Sequence, residues 1–110
     1  MIIGNNIMRL ILFFDLPIET TSQRREYQKF HKQLIYNGFD MLQYSVYVRY
    51  CSNITAAEKY ENKMMSLKPE DGDIRILRVT ENQYQNMYIL LGKKTKRQDL
   101  ENTDLVLEID

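Results

Sequence analysis

The feature that most constrains the fold is a nearly unbroken apolar run near the start of the chain. Residues 7–14 read Ile-Met-Arg-Leu-Ile-Leu-Phe-Phe, and Asp15-Leu16-Pro17 follows them. Strands that are buried on both faces have this composition, and a proline cannot continue the hydrogen-bond ladder. The run therefore predicts a central β-strand, around which a chain of 110 residues can build one domain.

An amphipathic helix is predicted directly after this strand. Thr20, Thr21 and Ser22 are candidate N-caps, and Gly38 is well placed to end the helix after Asn37. At three- and four-residue spacing, one face is apolar and carries Tyr27, Phe30, His31 and Leu34. The opposite face is basic and carries Arg25, Lys29 and Lys32.

The rest of the chain predicts more strands and a second helix. Residues 39–50 alternate as a strand does, and the polar residues 43–45 are expected to divide them into two short strands. Asn53 opens the second helix, and Thr55-Ala-Ala-Glu58 fits a capping box. Residues 74–80 and 87–91 are predicted as strands. Residues 92–104 hold one large apolar side chain and are predicted as a linker, and residues 105–109 regain β character.

This order of elements predicts an α+β fold, a ferredoxin-like βαββαβ sandwich over residues 1–92. Both helices cover one face of the sheet, and residues 93–110 add a polar linker and an extra C-terminal strand. The other face is left uncovered, so we expect a homodimer packed sheet to sheet. The last strand is expected to pair either within its own sheet or with an edge on another chain.

Composition excludes several classes of site. A single cysteine and a single histidine exclude an intramolecular disulfide and a standard Cys/His zinc site within one chain. Both Cys51 and His31 are expected to be packing residues. The sequence contains no Gly-rich phosphate loop, HExxH motif or nucleophile elbow. No apolar run is long enough to cross a membrane and no signal peptide is evident, so a cytoplasmic protein is expected.

The charges are segregated although their sum is zero. Residues 20–68 have a net charge of +4, residues 93–97 add +4, and residues 98–110 contribute −5. This asymmetry indicates either a face that binds a polyanion or solvated surfaces that happen to be unevenly charged.

Asp15 stands at the carboxyl end of the predicted central strand. It is either a turn-forming residue, since Asp-Leu-Pro is favourable turn chemistry, or a ligand of a divalent metal. Two copies of Asp15 facing each other across a two-fold axis would make a plausible phosphodiester site.

Three segments together resemble the Cas2 family, the small CRISPR-associated subunit of spacer acquisition. They are the apolar strand ending at Asp15, the helix with Arg24-Arg25, and Gln-Tyr-Ser-Val-Tyr at residues 43–47. The resemblance spans about residues 7–92. Within the family, the sequence is similar to the variant found in type II-A systems. It implies a homodimer that bridges dimers of the Cas1 integrase. This dimer would hold double-stranded DNA, the prespacer, before the DNA is inserted at the repeat array. Other type II-A CRISPR proteins are further expected partners.

The resemblance also implies a second activity. Many family members are described as Mg²⁺-dependent nucleases, which makes Asp15 the expected metal ligand and catalytic residue, and Mg²⁺ the cofactor. Phosphate contacts are expected from six basic residues: Arg24, Arg25, Lys29, Lys32, Arg75 and Arg78. Three apolar residues of the last strand are expected to contact a partner protein: Leu105, Leu107 and Ile109.

Three functions therefore stay open. The first is a non-catalytic subunit that positions DNA, and it depends on the basic helix and on dimerisation. The second is a Mg²⁺-dependent endoribonuclease or DNase that acts through paired Asp15 residues. The third is a ribonuclease toxin of the related VapD-like group, which shares the small ferredoxin-like dimer.

Overall fold

The predicted central strand is β1 (Met8–Asp15), and it pairs on both sides in the computed structural model, which describes residues 6–92. The other elements are α1 (Thr21–Tyr36), β2 (Asp40–Gln43), β3 (Val46–Cys51), α2 (Ile54–Leu67), β4 (Asp73–Thr80) and α3 (Glu81–Gln85). The strands form one antiparallel sheet in the order β2-β3-β1-β4. This arrangement confirms the predicted α+β, βαββαβ fold.

Helix α1 begins and ends where the sequence predicts. Thr20 is the N-cap, and its hydroxyl oxygen accepts a hydrogen bond from the Gln23 amide at 3.0 Å. The Gln23 side-chain oxygen accepts in return from the Thr20 amide at 3.0 Å, which completes a capping box. After the C-cap Asn37, Gly38 takes a φ of +86°, a left-handed conformation that glycine adopts without strain.

Helix α2 begins at Asn53 as predicted, but without the predicted capping box. Asn53 is its N-cap and accepts a hydrogen bond from the Ala56 amide at 2.7 Å. The predicted capping box at Thr55-Ala-Ala-Glu58 is wrong because Thr55 already lies inside the helix. The side chain of Asn53, two residues earlier, accepts the hydrogen bond from the first turn of the helix instead.

The strand-like segment after α1 is divided as predicted. β2 and β3 are separated by a turn in which Ser45 has a φ of +63°. A register shift between Met41 and Gln43 marks a bulge beside this turn. The Ser45 carbonyl accepts a hydrogen bond from the Phe14 amide at 3.1 Å, and this bond holds the turn beside the end of β1.

The core lies between one face of the sheet and the two long helices. β1 alternates, so that Met8, Leu10, Leu12 and Phe14 are buried against the helices. Their partners are two residues of α1 and two of α2: Phe30, Leu34, Ala57 and Met64. Phe14 contacts the Phe30 ring edge-on, with 5.4 Å between centroids. Both helices therefore cover the same face, as predicted.

Residues 81–91 differ from the prediction. Instead of a polar stretch, α3 follows β4, with Thr80 as its N-cap in a capping box with Gln83. Within residues 6–92, residues 87–91 form no strand, and Leu90 and Leu91 are 92% and 97% exposed. The predicted strand is wrong for the single chain, because these residues pair with neither edge strand of the sheet, β2 or β4, and a strand is stable only when it is paired.

The predicted linker and last strand, residues 93–110, lie outside the described residues. This applies to the basic cluster at residues 93–97 and to Leu105, Leu107 and Ile109. In the part that is described, no helix is long and apolar enough to cross a membrane.

Candidate nucleic-acid interface and metal site

The outward side of α1 is a shallow, open, basic groove. Its cationic residues are Arg24, Arg25, Lys29 and Lys32, and all four are exposed. The polar side chains Thr21, Gln28 and Gln33 and the ring of Tyr36 complete the lining. We call these eight residues the α1 groove; none of the described acidic side chains lines it.

The four cations of the α1 groove are not equivalent. The Arg24 guanidinium donates to the carbonyls of Ile18 and Glu19, both at 3.1 Å, so it is anchored to the loop before the helix. Arg25, Lys29 and Lys32 make no ion pair within residues 6–92. Their side chains are therefore available to a phosphate, whereas Arg24 reaches one only with its remaining donors.

The other two predicted phosphate contacts lie elsewhere. Arg78 faces the helices and forms a bidentate ion pair with Glu61, with N–O distances of 2.8 and 2.6 Å. The hydrogen bonds from Arg78 to Glu61 raise the pKa of Arg78. Arg75 lies opposite Phe13 on the other face of the sheet and is exposed. The structure thus does not bring Arg75 and Arg78 together with the α1 groove.

Asp15 is exposed at the end of β1, and it has a carboxylate neighbour that the sequence did not reveal. Asp73, the first residue of β4, is its direct partner in the antiparallel register. Residues opposite each other in such a pair point to the same face, with Cβ atoms about 5 Å apart. Along the chain, the acidic residue nearest to Asp15 is Glu19. The signal was in the fold, because a βαββαβ chain places the start of β4 beside the end of β1.

Gly72 allows this approach. Its φ is +109°, and a Cβ atom there would lie 2.6 Å from Leu16 Cδ2 and 2.8 Å from the Asp15 carbonyl oxygen. Only a glycine fits so close to the strand end, and Asp73 follows directly. The loop is thereby held against Asp15.

This pair of carboxylates has the donor chemistry that Mg²⁺ uses. Mg²⁺ takes one or two carboxylates, keeps several waters and binds phosphate oxygens of a substrate. Among the described residues, no group of three or more His, Cys, Asp or Glu side chains could hold a metal ion. Asp15 and Asp73 therefore fit a weakly held Mg²⁺ that a substrate completes.

The sheet face away from the helices is apolar along its centre and partly exposed to solvent. We call it the open face. Phe13 and Leu77 are 39% and 54% exposed, and Ile11, Val46 and Val79 are half-buried beside them. The side chains of Glu81 and Tyr84 cover one end of this face. Arg9 donates a hydrogen bond to Glu81 at 2.5 Å, and its guanidinium lies 4.4 Å from the centre of the Tyr84 ring.

His31 and Cys51 have the surroundings of packing residues. His31 Nδ1 shares a hydrogen bond with the hydroxyl of Tyr47, whose ring is fully buried. Burial raises the pKa of Tyr47, and it likewise raises the pKa of the Cys51 thiol. The arrangement supplies neither a free base nor an activated nucleophile at these two positions.

Comparison with known proteins identifies the family that this sequence matches. Residues 8–87 match the family model of the CRISPR associated protein Cas2. A CRISPR-associated endoribonuclease Cas2 of Ligilactobacillus salivarius is 53% identical over 89 residues, which are 81% of this chain and 88% of that protein. The proteins of the same name from Lacticaseibacillus rhamnosus and Streptococcus mutans are 45% and 39% identical over 96 and 87 residues. These alignments cover 87% and 79% of this chain, and 93% and 80% of the relatives.

Proposed function

The chain belongs to the CRISPR associated protein Cas2 family, which takes part in CRISPR adaptation, and from this membership we propose a structural role. The protein acts as a homodimer that bridges dimers of the Cas1 integrase. It positions a duplex, the prespacer, for insertion into the CRISPR array. The observation that carries the proposal is the α1 groove, a basic surface that holds three cations without ion pairs in the described chain.

The spacing of these cations suits a phosphate backbone. Arg25 and Lys32 are seven residues apart, which is about 10 Å along a helix that rises 1.5 Å per residue. Phosphates of one DNA strand follow each other every 3.4 Å of duplex axis, so these cations would span about three phosphate steps of a duplex whose axis runs parallel to α1. Phosphate contacts carry no sequence information directly. We therefore expect this subunit to bind duplexes with little sequence preference.

The open face supports the homodimer. Phe13 and Leu77 are large apolar side chains that a single chain leaves in water. A second copy would cover them by packing the same face against it, which is the self-complementary contact of a two-fold dimer. Residues 87–91 support the same proposal, since an exposed strand-like segment finds a pairing edge on a second copy.

Contact with the integrase is proposed for the C-terminal strand. Leu105, Leu107 and Ile109 alternate with other residues, so they share one side of an extended segment. A strand of this kind can add to the edge of a sheet in another protein.

Salt-dependent duplex binding tests the proposal. The variant Lys29→Glu/Lys32→Glu is compared with Lys59→Glu/Lys63→Glu, which changes two exposed lysines of α2 by the same charge. We expect the α1 variant to bind at least about tenfold more weakly, and its plot of log K against log salt to be shallower by about 0.9 for each phosphate that it no longer binds. The α2 variant should retain most of the affinity. Equal decreases in both variants would show that only overall charge matters.

A metal-dependent nuclease is the second candidate function, and the juxtaposition of Asp15 and Asp73 favours it. Several relatives are named endoribonucleases. A bound Mg²⁺ would polarise a phosphoryl oxygen and lower the pKa of a coordinated water. In this chain the two carboxylates would hold the ion at the end of β1. The structure offers no observation that favours a VapD-like toxin.

Substitution of each carboxylate separates the two functions. Asp15→Asn and Asp73→Asn should weaken Mg²⁺ binding in calorimetry and reduce cleavage of RNA or DNA. If spacer acquisition in cells continues at its normal rate, cleavage is separable from the structural role. If acquisition stops together with cleavage, a purely structural role is refuted.

A further inference from the structure

We propose that the acidic C-terminal segment, residues 98–110, binds the α1 groove when no nucleic acid is present and is displaced by a duplex. The proposal rests on the function given above, because it concerns regulation of the same surface. It makes duplex binding a competition rather than a simple association.

The groove has two properties that select an occupant. Arg25, Lys29 and Lys32 hold positive charge that no acidic side chain within residues 6–92 neutralises by an ion pair. Below the charged groups, their aliphatic stems and the Tyr36 ring form an apolar floor. A suitable ligand therefore combines carboxylates with apolar side chains.

The C-terminal segment has this combination. Residues 98–110 contain five acidic side chains and no basic one, a net charge of −5. Five apolar side chains are interleaved with them: Leu100, Leu105, Val106, Leu107 and Ile109. No other stretch of the chain is comparably acidic, so its charge is the complement of the groove.

The length of the segment and its linker is comparable with the dimensions of the molecule. The described residues end at Gly92, and residue 104 lies twelve positions further along the chain. Twelve extended residues span up to about 40 Å, whereas the Cα atoms extend 47 × 37 × 20 Å. A tethered ligand of this length acts at an effective concentration in the millimolar range, so a weak contact suffices to fill the groove.

Duplex DNA would compete for the same cations. If the segment fills the groove in about nine of ten molecules, the apparent affinity for a duplex is about tenfold below its intrinsic value. Integrase binding through Leu105, Leu107 and Ile109 would withdraw the segment and uncover the groove. Partner capture and duplex capture would then favour each other.

Zero-length carbodiimide cross-linking of the full chain tests the contact directly, since it joins a carboxylate only to an adjacent lysine. We expect cross-links from residues 98–110 to Lys29 and Lys32, and their disappearance when a duplex is added. Cross-links confined to the lysines of residues 93–97, or equal yields at Lys59 and Lys63 of α2, would overturn the proposal.

Duplex affinity gives a second measurement. The five acidic residues are replaced by their amides: Asp99→Asn, Glu101→Gln, Asp104→Asn, Glu108→Gln and Asp110→Asn. We expect this full-length variant to bind a duplex five- to tenfold more tightly at low salt, and the gain to shrink as salt screens the contact. In the background Lys29→Glu/Lys32→Glu the gain should disappear; a gain of the same size there would refute a contact with the groove.

The two proposals fail in different ways. If neither the natural chain nor the amide variant binds a duplex, the proposed function is wrong, and the cross-links still report whether the segment contacts α1. If both bind a duplex equally well, only the inference about the segment is refuted.

Discussion

A substitution of Leu77 tests the proposed dimer most directly. It lies opposite Ile11 in the register of β1 and β4, on the open face, and 54% of its side chain faces solvent in the single chain. Its exposure means that replacing it disturbs the fold of one protomer little. A second copy packed on this face would cover it.

The magnitude follows from the exposed fraction. Fully burying a leucine side chain contributes about 1.5–3 kcal/mol, so covering the exposed half contributes about 1–1.5 kcal/mol. A two-fold interface contains two copies of Leu77, and Leu77→Ala should cost about 2–3 kcal/mol of dimer stability, a weakening of about 30- to 150-fold. Leu77→Asp also places two like charges in the interface and should leave monomers at ten-micromolar concentrations.

Sedimentation velocity over a concentration series measures this effect, with circular dichroism as the check on folding. Met65→Asp is the matched control, because Met65 is 65% exposed on α2 and away from the open face. We expect the control to dimerise as the natural chain does. A folded Leu77→Asp variant that dimerises with undiminished affinity would refute the sheet-to-sheet arrangement.

Three further predictions concern stability. Gly72→Ala should lower the free energy of unfolding by about 1–3 kcal/mol in denaturant titrations, because φ is +109° and a Cβ would lie 2.6 Å from Leu16 Cδ2; unchanged stability would contradict the described loop. Arg9→Ala should cost about 2–3 kcal/mol, since it removes the guanidinium that pairs with the partly buried Glu81, and Arg9→Ala/Glu81→Ala should cost less than the sum of the single changes. Because burial raises the pKa of Cys51, only the unfolded thiol ionises as pH rises above about 8.5, so stability should fall with pH there; the decline should be smaller in Cys51→Ala, and an identical decline would show that the thiol is not its source.

The elements that the sequence predicts correctly are those with local causes. β1 follows from an apolar run closed by Pro17, and α1 from its cap residues and Gly38. The division between β2 and β3 follows from three polar residues at 43–45. Each of these signals lies within a few residues of the feature that it specifies.

The errors have two kinds of cause: strand pairing that the local pattern does not decide, and capping signals that specify a different residue or element. Residues 87–91 have the pattern of a strand, but in the described chain they pair with neither edge of the sheet, β2 or β4. α3 could have been found, since Thr80 and Gln83 have the spacing of a capping box. The residues of α2 likewise suggested a capping box, but Asn53 occupies the cap.

The sequence predicted the cations of the candidate site but only one of its two carboxylates, Asp15. Helical spacing alone places Lys29 and Lys32 on one outward face. The pairing of Asp15 with Asp73 joins residues 58 positions apart, and it becomes visible only when the strand register is known. The ion pair of Arg78 with Glu61 is non-local in the same way, so the sequence could not show that this arginine is already occupied.

The most direct test of the proposed dimer and its duplex binding is the mass of the protein with and without a duplex in analytical ultracentrifugation. At micromolar concentration we expect a species of twice 13.2 kDa without DNA, and a complex of two chains per duplex that dissociates steeply as salt rises. A species of 13.2 kDa that does not bind the duplex at low salt would contradict both the dimer and its duplex binding.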